Sequence, residues 1–248
     1  MDWIDDGLVL AAREHGEAAL IVTLLTRERG RHAGFVHGGG SSRQRPIWQL
    51  GNRVRAEWRG RLADQLGTYK GETRAAYGAR ALDDALCLSG LAAACATIDA
   101  VLPEREPHPA VFAGFDALLS ALGYDGWPSL LVRLEVGLLQ ELGFALDLAS
   151  CAATGATDDL AYVSPKSGRA VCRAAAEPHK AKLLPLPPFL AGDRAPPPVE
   201  DVVAGLDLTG YFLERHVFWP RDKPLPPPRE RFIDLLRRGG GVNRPPPG

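Results

Sequence analysis

Several large classes of protein are excluded by what this sequence does not contain. Its 248 residues hold no run of about 18 apolar residues, so no membrane-spanning helix is expected. The opening MDWIDDGLVLAAREHGE is acidic early and has no basic segment leading into an apolar core, so no export signal is expected. Cysteine is scarce. Cys87, Cys95, Cys151 and Cys172 form no dense framework, and reduced thiols in a cytoplasmic protein are the expectation. Net charge is nearly absent: 29 basic against 30 acidic side chains leave −1, so the whole-chain balance points to no partner. What remains is a globular composition, 46% hydrophobic and 24% charged, with enough chain for one large or two small domains.

The small net charge hides an asymmetry. Residues 1–80 carry 13 basic and 9 acidic side chains, a net of +4, and the other 168 carry 16 and 21, a net of −5. Between 27 and 61, Arg27, Arg29, Arg31, Arg43, Arg45, Arg53, Arg55, Arg59 and Arg61 face only Glu28 and Glu57, and no lysine occurs. A field of this sign favours a polyanion. The plainer reading is a solvated basic face.

Periodicity divides the chain. The segments 8–12, 19–26, 31–36, 52–58 and 67–72 read as short strands. In NRVRAEW, Val54, Ala56 and Trp58 share one face, and Arg53, Arg55 and Glu57 the other. Five strands with no helix-length segment between them predict a small closed barrel. From about residue 80 the texture is helical: 81–102, 108–122 and 129–148, the last with Leu131, Leu134, Leu138 and Leu142 as an apolar stripe. Cys87 and Cys95 fall on nearly one face of the first helix and read as buried thiols. The stretch 151–175 holds two short strand-like pieces, 184–198 is a proline-rich connector, and helices are expected at 207–219 and 229–238.

Catalytic patterns are missing too. HGGGSSRQR, residues 37–45, looks at first like an esterase oxyanion loop built on His37. That reading needs a G-x-S-x-G elbow, and no serine has glycine on both sides at that spacing. A P-loop needs a lysine after the glycines and none follows; G-x-G-x-x-G fails because Arg43 takes the last position. A zinc knuckle needs C-x-x-C, whereas Cys151 is followed at the third position by Thr154 and Cys172 by Ala175. His179 is the one nearby substitute, so no zinc or other cofactor is expected. Binding is the remaining chemistry. Arginines neutralise phosphates and aromatic faces stack on unpaired bases. The candidate contacts are Arg27, Arg29, Arg31, Arg43, Arg45, Trp48, Arg53, Arg55 and Lys70. Trp58, in phase with Val54, reads as core, whereas Trp48 is placed on a loop. The glycines of 38–40 are read as hinges that let Arg43 and Arg45 follow a backbone.

Three stretches together resemble the bacterial recombination mediator family RecO. The first is the frame Val9-Leu10, Arg13, Glu17, Leu20, Thr26 and Gly30. The second is the glycine-rich, basic HGGGSSRQR after the third strand. The third is Arg133, Leu134, Glu135, Leu138-Leu139, Leu142-Gly143-Phe144 and Cys151. The likeness spans roughly residues 6 to 175. It implies an α+β protein with a five-stranded OB-fold β-barrel at 1–78. An α-helical C-terminal domain follows at 79–238, with a degenerate zinc-ribbon-like insert at about 150–180 and a disordered tail at 239–248. It also implies a DNA repair and recombination mediator with no catalytic residues. Such a protein binds single- and double-stranded DNA, anneals strands, and helps load RecA onto DNA coated by single-strand-binding protein. Its partners are RecR and the acidic, apolar C-terminal tail of single-strand-binding protein, for which Arg133 is the expected contact. A cytoplasmic, nucleoid-associated protein follows. Here Cys151 and Cys172 are half of the family's four-cysteine pattern, which puts zinc in doubt. The rival readings are a scaffold whose basic face meets an acidic protein, and an esterase using His37.

Overall fold

The computed structural model describes residues 2–62 and 65–239; the tail expected to be disordered lies outside them, apart from Gly239. Short runs rich in β-branched and aliphatic residues, alternating in burial along β3 and β4 and continuously buried through much of β2, build the first five strands. They are β1 (Asp2–His15), β2 (Ala19–Thr26), β3 (Gly30–Val36), β4 (Arg53–Arg59) and β5 (Gly67–Ala75). They close into a barrel in the order β1-β2-β3-β5-β4, the expected OB-like architecture. A bulge between Val9 and Ala11 bends β1. The first half of β1 therefore pairs with β4, and the second half with β2.

The barrel closes through a short parallel seam, where only Gly34 and Phe35 of β3 meet Gly67 and Thr68 of β5. Aromatic rings fill the space beside it. A Cβ on Gly34 would come within 2.3 Å of the Tyr69 ring, and one on Gly67 within 2.4 Å of the Trp58 ring. The core contains Val9, Leu20, Val22, Leu24, Val36, Val54 and Ala56 with the rings of Trp48, Trp58 and Tyr69. Trp3 stacks on Trp58 with centroids 5.7 Å apart, and His32 meets both rings edge-on at 5.1 and 5.0 Å. Burial lowers the pKa of His32, so its neutral form is favoured inside the barrel.

Three helices complete the first compact unit: α1 (Tyr77–Ala81), α2 (Ala85–Val101) and α3 (Pro109–Ala121). Asp84 caps α2, its carboxylate accepting from the Cys87 amide at 2.9 Å. Cys95 is buried on α2 and its thiol lies 3.7 Å from the Val9 carbonyl, so it is a packing residue of the barrel–helix contact.

The second unit starts with α4 (Trp127–Glu141). The helix expected to run to 148 stops at Glu141, because Gly143 takes φ +86 and turns the chain away. A three-stranded sheet follows in the order β7-β6-β8, with β6 (Leu160–Val163), β7 (Ala170–Cys172) and β8 (Leu184–Pro185). The one-turn α5 (Arg173–Ala176) comes after β7. Helix α6 (Val199–Leu213) widens into a π-helical turn, Glu214–Phe218, and then tightens into a 3-10 turn, Trp219–Arg221. Glu135 on α4 is buried and accepts a short hydrogen bond from the Thr209 hydroxyl of α6, which satisfies a carboxylate that would otherwise be costly. The division between the units falls inside α7 (Pro227–Arg237). Among the described residues no helix is long and apolar enough to cross a membrane.

Candidate nucleic-acid interface

The nine arginines of residues 27–61 are one cluster in sequence and several in space. Arg27 and Arg29 occupy the turn between β2 and β3, and both are exposed. Arg43 and Arg45 lie in the segment that leaves the far end of β3. Six strand steps separate the two ends, about 20 Å at the usual rise. The outer wall of β4 holds Arg53, Arg55 and Arg59.

Segment 37–48 is built of consecutive tight turns rather than an open hairpin. Backbone bonds run from Ser41 N to Gly38 O at 3.0 Å, Arg45 N to Ser41 O at 2.9 Å and Ile47 N to Gln44 O at 3.0 Å. The Gly40 amide donates to the Ala18 carbonyl at 3.0 Å and ties the segment to the β1–β2 turn. The glycines are therefore not hinges. Gly38 takes φ +64, and a Cβ on Gly39 would approach Leu20 Cγ to 2.9 Å. They let the chain turn tightly against the barrel, and Arg43 and Arg45 project from an ordered support. Arg45 reaches Glu14 at 3.4 Å, a loose, exposed pair. His37 is exposed and packs its ring edge-on to Phe35 with centroids 4.7 Å apart.

Three expected contacts have other engagements. Trp48 is not a loop platform: it is 1% exposed and packs in the barrel core beside Tyr69, so it presents no face to a base. Arg31 donates to Asp99 at 3.0 Å and to the Leu102 carbonyl at 2.9 Å, and it reaches Glu104 at 3.4 Å. Arg53 bridges Asp6 at 2.7 Å and Asp116 at 3.0 Å. The hydrogen bond that Arg53 donates to Asp6 raises its pKa further. Both arginines fasten the barrel to the helices that follow, so much of their charge is already neutralised. Asp6, Asp99, Glu104 and Asp116 are the residues that the sequence reading missed. Their partners lie tens of positions away along the chain, where no local pattern signals them.

Arg27, Arg29, Arg43, Arg55 and Lys70 are exposed and, among the described residues, in no ion pair. Arg55 and Lys70 flank an open depression of about 250 Å³ lined also by Ile4, Glu57, Gly71 and Glu72. Its charges alternate, because Arg55 stands opposite Glu72, and Lys70 opposite Glu57. The basic character of this wall is weaker than the arginine count suggests.

The second unit brings Cys151 and Cys172 together, with the Cys172 amide 3.2 Å from the Cys151 sulfur. Burial opposes ionisation of Cys151, but the amides of Cys172, Ala153 and Thr154 and the Thr154 hydroxyl outweigh it and bring its pKa to about 6. The Thr154 hydroxyl, three positions after Cys151, lies 3.7 Å from the Cys172 sulfur. Two thiols where four ligands are needed do not fit zinc, and no group of three or more His, Cys, Asp or Glu among the described residues is arranged for a metal. Arg133 is exposed; its guanidinium donates to the Phe189 carbonyl at 2.7 Å and lies over that ring at 5.4 Å.

Comparison with known proteins decides the family. The model described as "Recombination protein O N terminal" matches residues 1–77, and "Recombination protein O C terminal" matches 82–225. The chain belongs to the RecO family. A DNA repair protein RecO of Rhodospirillum centenum is 54% identical over 240 residues, covering 96% of each chain. Another from Phenylobacterium zucineum is 53% identical over 241 residues, covering 97% of this chain and 99% of that one. RecO membership assigns the chain to DNA repair and recombination. The RecO signature residues now have positions: Gly30 opens β3, the HGGG segment is the turn platform, and Glu135 is the buried carboxylate joining α4 to α6.

Proposed function

We propose that the barrel binds single- and double-stranded DNA through Arg27, Arg29, Arg43, Arg45, Arg55 and Lys70, and that binding promotes annealing of complementary strands. The observation that carries this reading is a closed barrel on which Arg27, Arg29, Arg43, Arg55 and Lys70 are exposed and, among the described residues, in no ion pair, with Arg45 held only by a loose, exposed pair to Glu14. Neutralising the phosphates of two strands lowers their repulsion and releases counterions, so pairing proceeds without any chemical step. The protein acts as a mediator and not as an enzyme. In that role it helps load RecA onto DNA coated by single-strand-binding protein. RecR and the acidic tail of single-strand-binding protein are its partners, with Arg133 as the tail contact, in a cytoplasmic, nucleoid-associated setting.

The test is a salt titration of binding to an oligodeoxythymidylate, with a strand-annealing assay beside it. Each phosphate contact contributes a slope of about −0.7 to log affinity against log salt for single strands. Replacing Arg27, Arg29, Arg43 and Arg55 together by Gln should flatten the slope by roughly three units and abolish annealing at physiological salt. An affinity that hardly changes with salt would sink the electrostatic account. The alternating charges around Ile4, itself 57% exposed, favour a second reading, a protein contact on the β4–β5 wall. That reading prevails if Arg55→Gln with Lys70→Gln leaves strand annealing unchanged but abolishes binding of the protein partner.

A further inference from the structure

Trp219 differs from the other four tryptophans. Trp48, Trp58 and Trp127 are each 1% exposed, Trp3 packs against the barrel core, and Trp219 is 60% exposed. Leaving an indole in water forfeits the burial that most tryptophans gain. The backbone is shaped to present it. The π-helical turn Glu214–Phe218 runs straight into the 3-10 turn of Trp219, and Asp222 ends that turn with φ +52. Single π turns recur at functional sites.

Basic residues flank Trp219 in sequence. Arg215 lies one turn before Trp219 and donates to the Tyr211 hydroxyl at 3.1 Å, a neutral partner that leaves its charge intact. Lys223 is exposed and, among the described residues, in no ion pair. Residues 215–223 hold three basic side chains and one acidic one, a net of +2, within the part of the chain that is acidic overall. The support is stiff, because His216 stacks on Phe144 at 4.8 Å and on Phe212 at 6.0 Å. A base needs one open aromatic face and a nearby cation for its phosphate. A peptide anchored by an apolar side chain needs a pocket instead. The flat, exposed ring with flanking charge matches the first requirement.

We propose that Trp219 stacks on an unpaired base of single-stranded DNA, with Arg215 and Lys223 on the flanking phosphates. This is a second strand contact, in the second compact unit, and it goes beyond the barrel interface. It is independent of the barrel arginines.

Tryptophan fluorescence tests it, because Trp48, Trp58 and Trp127 are buried and Trp3 is partly buried against the barrel core. Oligodeoxythymidylate should quench the wild-type emission. Trp219→Phe should keep its affinity for a labelled oligonucleotide but lose most of the quenching. Trp219→Ala should bind about tenfold more weakly. Replacing Arg215 and Lys223 together by Gln should reduce the salt slope by about 1 to 2 units. Undiminished quenching in Trp219→Phe, or wild-type affinity in Trp219→Ala, overturns the proposal and leaves the barrel reading standing. Failure of the wild type to bind the oligonucleotide overturns both. Quenching by polyglutamate equal to that by the oligonucleotide overturns the assignment to nucleic acid.

Discussion

At the scale of single residues, burial decides which charged groups are available for binding. Arg53 looks like a DNA contact in the sequence because it alternates with Val54. In the structure it makes charge-assisted bonds to Asp6 at 2.7 Å and Asp116 at 3.0 Å. Arg53→Met should therefore cost about 2 kcal/mol of stability, seen as a lower urea midpoint. Under folded conditions its DNA affinity should fall less than that of Arg55→Gln, whose side chain is exposed. His32 makes the same point with a titratable group. Burial holds its pKa below the ordinary 6.5, so the unfolded chain takes up the proton first as pH falls. Stability is then lost as pH drops from about 6.5 toward the lowered folded value. Thermal midpoints measured from neutral to mildly acidic pH should fall more steeply for the wild type than for His32→Phe.

At the scale of elements, what was legible followed from local periodicity. The strand expected at 19–26 is β2 to the residue, and those at 31–36, 52–58 and 67–72 fall within or one residue beyond β3, β4 and β5. Residues 19–26 were legible from their β-branched and aliphatic content, and 52–58 from a period of two that survives any tertiary arrangement. The ends of helices were less legible. A stripe of leucines runs on past Glu141, but a left-handed glycine stops α4. The turn platform at 37–48 was misread as flexible, because three glycines in a row look the same whether they supply freedom or close approach. Only the neighbouring Leu20 and the Ala18 carbonyl distinguish the two. The π turn before Trp219 has no sequence signature, although an exposed W-P-R after a long apolar helix is a usable flag. The candidate site was legible in its charges and illegible in its pairings. Asp99 and Asp116 are 68 and 63 positions from Arg31 and Arg53.

At the scale of the whole molecule, a chain with almost no net charge still leaves exposed cations without ion pairs among the described residues. Those proposed to meet nucleic acid lie at the two ends of the β2–β3 hairpin, on the β4–β5 wall and in the segment around Trp219. The seam that closes the barrel governs when the first three come together. It rests on Gly34 and Phe35 against Gly67 and Thr68, far shorter than the ladder of β2 with β1 or β3. Amide exchange should be fastest there within the barrel and slowest at Val22 and Leu24, a difference that native-state hydrogen exchange will read directly. The consequence is one of timing. The hairpins β1–β2 and β2–β3 join neighbours in sequence and form early, whereas the seam waits for residues 33 positions apart. Everything that carries Arg43, Arg45 and Arg55 is looped between those two glycines. A chain emerging from the ribosome therefore acquires a complete barrel only after Gly67 has been made and the ring closes, which makes barrel closure a late checkpoint in its synthesis.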